Sequence, residues 1–346
     1  MIIASILFFS LQAPTAQAAV APDSFVTAHV AAVSSYTPHR VYRTKKKRFD
    51  DFESMLADAA KADVVFLGEE HDDPGTHRLE RAALEGIGRR RGKVVLALEM
   101  FERDAQPSLN DYLAGKLGEA QFLKVSRPWP KYATDYRPMI ELAKAKGWPV
   151  IAGNVPRRLA SLIGRKGLIG VDSLPPADRA LIAAQLTCPR DKYFDRFKET
   201  MGDMSGHGAK ITPAEAAAMV GRFYDAQCVK DETMGEAVAA ARAASPDAVV
   251  VHVNGSFHSD FRMGTAERVK NRLAGARIVV INFAPVSDLD AADGKKLRKI
   301  GDYVVFTLKP PTPPKAPVPA AAAKAPVPAA APAAPAAPAP KPPATK

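Results

Sequence analysis

The chain has 346 residues, 25% of them charged, and a formal net charge of +11, enough length for one large core or two modest ones. That charge is uneven: 5 lysines from Lys309 onward leave +6 for residues 1–308, and the dense basic run Arg43–Arg48 adjoins Asp50 and Asp51, which argues against a nucleic-acid partner. The 2 cysteines, Cys188 and Cys228, form no Cys-x-x-Cys pair, which argues against a thiolate metal site.

In chain order, Ile2–Leu11 is an apolar block of signal-sequence size, too short to span a bilayer, and Ala16–Ala18 offers a small-x-small cleavage site. The reading is a signal peptide over residues 1–18 and export to the periplasm or cell envelope. A basic leading region is missing, so a start inside a longer signal and a short membrane anchor stay open. No cysteine follows the block, so the chain is not expected to be a lipoprotein. The run RTKKKRFDDFESM reads as a solvated segment able to touch anionic surfaces.

Between Phe49 and Leu308, strands are predicted at Asp63–Gly68, Lys93–Met100, Trp148–Asn154, Ala248–Gly255, Arg277–Phe283 and Tyr303–Leu308. Each is apolar at consecutive positions, as strands covered on both faces are. Amphipathic stretches such as Thr76–Arg90 and Asp135–Gly147 separate them. The fold class is therefore α/β, a mainly parallel sheet flanked by helices, in one domain over 49–308. Residues 156–246 contain no strand signal and read as an all-helical insertion built from PPADRALIAAQL, PAEAAAMVGRFYDAQCV and KDETMGEAVAAARAA, with the glycine-rich ETMGDMSGHGAKIT as a mobile loop. Cys188 and Cys228 both lie in this insertion, either as two separate thiols or, favoured by export, as a disulfide. From Lys309 to Lys346 the chain holds 14 of its 30 prolines and no acid, and reads as a disordered spacer.

The polar candidates gather at the carboxyl ends of the predicted strands: Glu69, Glu70 and His71 after the first, Glu99 in the second, Asn154 in the third, Asn254 and His258 at the fourth. Open α/β sheets bind ligands in the crevice outside those ends, so residues far apart in sequence are expected to meet there. Such a cluster can hold a divalent metal on His71, Glu99 and His258. It can run acid–base chemistry with Glu69, His71, Glu99 and His258 as catalytic groups, or form a satisfied polar core. No Gly-x-Ser-x-Gly elbow, phosphate loop or dinucleotide fingerprint occurs.

Five stretches, FLGEEHDDPGTHRLE, LALEMFERDAQPSLNDYLAG, WPKYATDYRPMIELAKAKGWPVIAGNVPRR, FYDAQCVKDETM and HVNGSFHSDFRMGT, resemble in order the ChaN family of haem-binding, iron-regulated envelope proteins. The resemblance runs from about Val64 to Phe283, and the superfamily includes Tiki, TraB and erythromycin-esterase-like proteins. It implies ferric haem held by tyrosinate, with Tyr136 the nearest match and Tyr132 second, and haems paired face to face in a homodimer. It also implies a role in iron acquisition or haem handling, with an outer-membrane receptor or envelope partner. Arg137 and Arg127 lie near enough in sequence to meet propionates, and His207 could close over the other haem face. Metal-dependent Tiki-type relatives imply the alternative, a hydrolase whose centre matches His71, Glu99 and His258. The missing lipid-bearing cysteine and the proline-rich tail depart from the family pattern.

Overall fold

The computed structural model describes residues 36–202 and 212–309. The expected signal peptide, His207 and the proline-rich segment from Pro310 lie outside the described residues. Eight strands form one sheet: β1 (His39–Arg43), β2 (Arg48–Asp50), β3 (Val64–Glu69), β4 (Val94–Glu102), β5 (Val150–Asn154), β6 (Val249–Gly255), β7 (Ile278–Val286) and β8 (Tyr303–Leu308). Their order is β2-β1-β8-β7-β3-β6-β4-β5. From β8 to β5 every pairing is parallel, while β1 runs antiparallel to both β8 and β2. The α/β expectation is borne out.

The central strands β3 and β6 are buried at every position, because helices cover both faces and leave no side of the pleat to water. One core layer joins Leu67, Leu84, Ile87, Leu98, Ile140 and Val253; the other joins Phe66, Ala97, Val238, Val250 and Val269.

The basic run is solvated as expected at Lys45, Lys46, Lys47 and Arg48, the lysines occupying the turn between β1 and β2 with Lys47 at φ 52, while Val41 and Tyr42 just before it are buried. Tyr42 packs on Val304 and Phe306, a contact between the two ends of the described chain that local sequence does not display. One expected helix is corrected. Within PPADRALIAAQL only Pro176–Arg179 is helical. The Arg179 guanidinium then donates to the carbonyls of Ile182, Ala183 and Ala184, satisfying backbone acceptors that a continued helix would have used.

The other two predicted runs are one helix, Pro213–Ala244, opened by a capping box between Thr212 and Glu215. It packs against the helices Arg157–Lys166 and Gly264–Arg272. Its Gly235 permits the second approach, since a Cβ there would lie 2.6 Å from the Arg268 Cβ. This helix brings Gln227, Lys230 and Asp231 over the carboxyl edge of the sheet. A disulfide joins Cys188 to Cys228 beside a cluster of Tyr193, Phe197 and Tyr224.

Candidate functional site

Parallel register sets the site. Glu69 on β3 stands opposite Gly255 on β6, and Leu98 on β4 opposite Val253, so Glu99 follows directly alongside. The Gly255 amide donates to the Glu99 carboxylate at 2.7 Å. Glu69, His71, Glu99 and His258 are thus brought to one cleft of about 560 Å³, with Trp129, Phe197, Phe257 and Lys230 among its walls. Gly255 makes room for the imidazole: a Cβ there would sit 2.8 Å from His71 Nε2. Asn154 and Asn254 hold backbone instead. Asn154 donates to the Glu99 carbonyl at 3.0 Å, and Asn254 donates to the Gly255 carbonyl at 2.9 Å. Glu70 is exposed and accepts from the Ser256 hydroxyl, 3.3 Å away.

His258 is clamped, with Nδ1 2.7 Å from Asp231 and Nε2 3.3 Å from Glu99. Burial opposes its charge, but Glu99 and Asp231 outweigh burial and push it up to about 10. Burial likewise opposes ionisation of Glu99, yet His258 and Lys230 hold it well below the usual carboxylate range. Asp231 is in turn fixed by the hydroxyls of Tyr193 and Thr265, each donating at 2.8 Å. Both ring nitrogens of His258 are thus engaged by carboxylates in this arrangement.

His71 is the half-exposed imidazole of the set. Its Nδ1 lies 2.5 Å from Glu69 Oε1, its ring meets Trp129 edge-on with centroids 5.0 Å apart, and Nε2 faces the strand end at Gly255. Burial lowers its basicity, but Glu69 and Glu99 together raise it above the ordinary histidine value.

Beneath His71 lies a second group that the sequence reading missed. His77 Nδ1 is 3.1 Å from Glu80 Oε2 and 3.3 Å from Glu69 Oε2. Among the described residues, Glu69, His77 and Glu80 are the group whose donor atoms gather within 4.8 Å of one another, rather than His71, Glu99 and His258. His77 and Glu80 sit one turn apart on the helix Pro74–Arg91, whose first turn is capped by Asp73. The signal was available in the i, i+3 spacing of a histidine and a glutamate just after a strand-end glutamate.

Tyr136 and Tyr132 are not among the residues that line the cleft. Tyr136 is 2% exposed and donates its hydroxyl to Glu69 Oε1 at 2.8 Å. Burial first, then the Glu69 charge, drives its ionisation far above the ordinary phenol value. Tyr132 is buried against Phe101 and Phe122. Arg137 is paired with Glu119, and Arg127 with Glu102 and Asp104. Other cations are better placed. A groove of about 450 Å³ adjoins the cleft, shares Trp129 and Lys230 with it, and is lined by Arg157 and Arg165. Lys230, Arg157 and Arg165 form no ion pair among the described residues.

A family model described as haem-binding uptake, Tiki superfamily, ChaN matches residues 55–269. The chain belongs to the ChaN haem-binding family. Among solved structures it is similar to ChaN of Campylobacter jejuni, described as binding haem cofacially, at 17% identity and a TM-score of 0.59, over 78% of this chain and 96% of that one. An erythromycin esterase EreC mutant is similar at 12% identity and TM-score 0.42, over 79% and 83% of the two chains. A Bacillus cereus protein is similar at 13% and 0.44, over 74% and 90%. No curated protein matches.

Proposed function

We propose that this ChaN-family chain binds ferric haem in the cleft at the carboxyl ends of β3, β6 and β4, and handles it outside the cytoplasm in iron acquisition. The observation that carries the reading is the pairing of donor and wall. His71 is braced at Nδ1 by Glu69, which leaves Nε2 as the available lone pair, beside the aromatic rings of Trp129 and Phe257. Metal-bound histidines characteristically have the other ring nitrogen held in this way. Arg157 and Arg165, which form no ion pair among the described residues, and Lys230, whose charge also acts on Glu99, supply cations for propionates. The donor set therefore fits haem, with His71 toward iron in place of the expected Tyr136. The bound group would supply an iron centre for carriage.

Family membership supports pairing of two haems between two protomers, because an open cleft leaves the outer haem face for a partner to cover. Export, by the apolar block before Ala16–Ala18, is part of the same reading, as is an envelope partner that delivers or receives the haem.

Haem titration followed by visible spectroscopy tests the assignment. Wild type should saturate, His71→Ala should lose at least tenfold in affinity and change the spectrum, and Tyr136→Phe should leave the spectrum unaltered. Tyr136→Phe should still lose roughly 1–3 kcal/mol of stability, because Glu69 loses a donor in a buried setting. A spectrum changed by Tyr136→Phe and unmoved by His71→Ala would return the ligand to the tyrosine. Absence of saturable binding by wild type would reject the function.

A further inference from the structure

We propose that Glu69, His77 and Glu80 form a buried site for one divalent transition-metal cation of zinc size, beneath the cleft and separate from the haem. The proposal needs no haem to be bound and goes beyond that reading.

Geometry comes first. The His77 Nδ1 atom stands 3.1 Å from Glu80 Oε2 and 3.3 Å from Glu69 Oε2. In a tetrahedral shell with zinc–nitrogen and zinc–oxygen bonds of about 2.0–2.1 Å, ligand atoms are roughly 3.3–3.4 Å apart. A calcium ion, with 6–8 oxygen ligands at about 2.3–2.6 Å, does not suit a three-residue set containing an imidazole. One imidazole and two carboxylates with no thiol suit zinc or a similar divalent ion.

The outer contacts orient these ligands. His77 Nε2 lies 3.2 Å from the His71 carbonyl oxygen, which can only accept, so that nitrogen carries a proton. Asp135 stands 3.5 Å from the same nitrogen. The opposite nitrogen, Nδ1, is thereby the one turned toward the two glutamates. Glu69 Oε1 is occupied by His71 Nδ1 and the Tyr136 hydroxyl, which aims Oε2 at His77.

An independent observation points to a missing ligand. Glu69 and Glu80 are 1% and 0% exposed; Glu80 Oε1 has no hydrogen-bond partner among the described residues, and Glu69 Oε2 has only the His77 ring nitrogen 3.3 Å away. Buried carboxylate oxygens left this way are costly unless a cation or proton meets them. The plain alternative is an imidazolium at His77 sitting between the carboxylates. No lysine or arginine is paired to Glu69, Glu80 or Asp135 among the described residues, and burial with the Glu69 charge then drives Glu80 well above the usual carboxylate range, toward the neutral acid. A divalent cation would take the place of that proton and meet the oxygens of both glutamates together.

The experiment uses the haem-free full chain, equilibrated with Zn²⁺, desalted and assayed for metal content. One Zn²⁺ per chain should be retained by wild type and by His258→Ala, and lost from Glu80→Gln and His77→Gln. X-ray absorption of the wild-type complex should show a nitrogen/oxygen shell with a single imidazole, a readout that holds even if a variant fails to fold. Absence of retained Zn²⁺ in wild type overturns the proposal. So does full retention by folded Glu80→Gln, or a shell of two imidazoles, which would put the ion in the cleft between His71 and His258.

Discussion

His252 lies in the middle of β6 with its ring wholly buried, edge-on to Phe66, and its Nδ1 is 3.2 Å from the Ala97 carbonyl oxygen. Desolvation pushes its pKa down to about 4, so the folded protein keeps it neutral where an unfolded chain would protonate it near 6.5. The sign follows from proton counts. Between about pH 6.5 and 4 the unfolded state binds the extra proton, so stability is complete above this window and is lost as pH falls through it. The expected loss is roughly 3 kcal/mol. His252→Leu, which cannot ionise, should flatten the slope of unfolding free energy against pH over that range; an identical slope would mean the ring is protonated in the native state. At this scale sequence reading was uneven. Strand-end position revealed Glu69, His71, Glu99 and His258, because parallel register makes the ends of β3, β4 and β6 neighbours. It could not reveal which way Tyr136 faces, since its hydroxyl is fixed by Glu69 from a distant strand. Asp231 and Tyr193 escaped notice because they reach His258 from the helical insertion.

Elements buried on both faces were the most legible, because a strand such as β3 advertises itself by an unbroken apolar run and not by a partner. The β1–β2 hairpin was hidden for the opposite reason: each strand is short and its buried Tyr42 is explained only by Val304 and Phe306. In the insertion, the long helix Pro213–Ala244 presents Lys230 and Asp231 to the cleft and is tied through Cys228 to Cys188, 40 residues away in sequence. That crosslink restricts the unfolded chain and should contribute about 2–4 kcal/mol. Replacing both cysteines by serine should lower the unfolding free energy by that amount while leaving the sheet intact. If the doubly substituted protein unfolds at an unchanged denaturant midpoint, the packing of Tyr193, Phe197 and Tyr224 alone holds the insertion.

At the scale of the molecule, the order of the sheet sets which ends of the chain matter. The last strand in sequence, β8, is not an edge: it lies between β1 and β7, pairing parallel to one and antiparallel to the other. Its Val304, Val305 and Phe306 are buried, and the Thr307 hydroxyl reaches Asp73, the residue that caps the helix leading away from the site. Losing β8 would therefore strip β1 and β2 from the sheet and uncover an apolar edge on β7, whose backbone groups would have lost their partners. The eighth strand ends at Leu308. A chain ending at Lys309 should accordingly melt cooperatively at the temperature of the longer protein and bind haem with the same affinity. One ending at Gly301 should lose cooperative unfolding. Should the Lys309 truncation melt at a markedly lower temperature, the proline-rich segment takes part in the fold; should the Gly301 truncation melt normally, β8 is dispensable and the sheet closes without it.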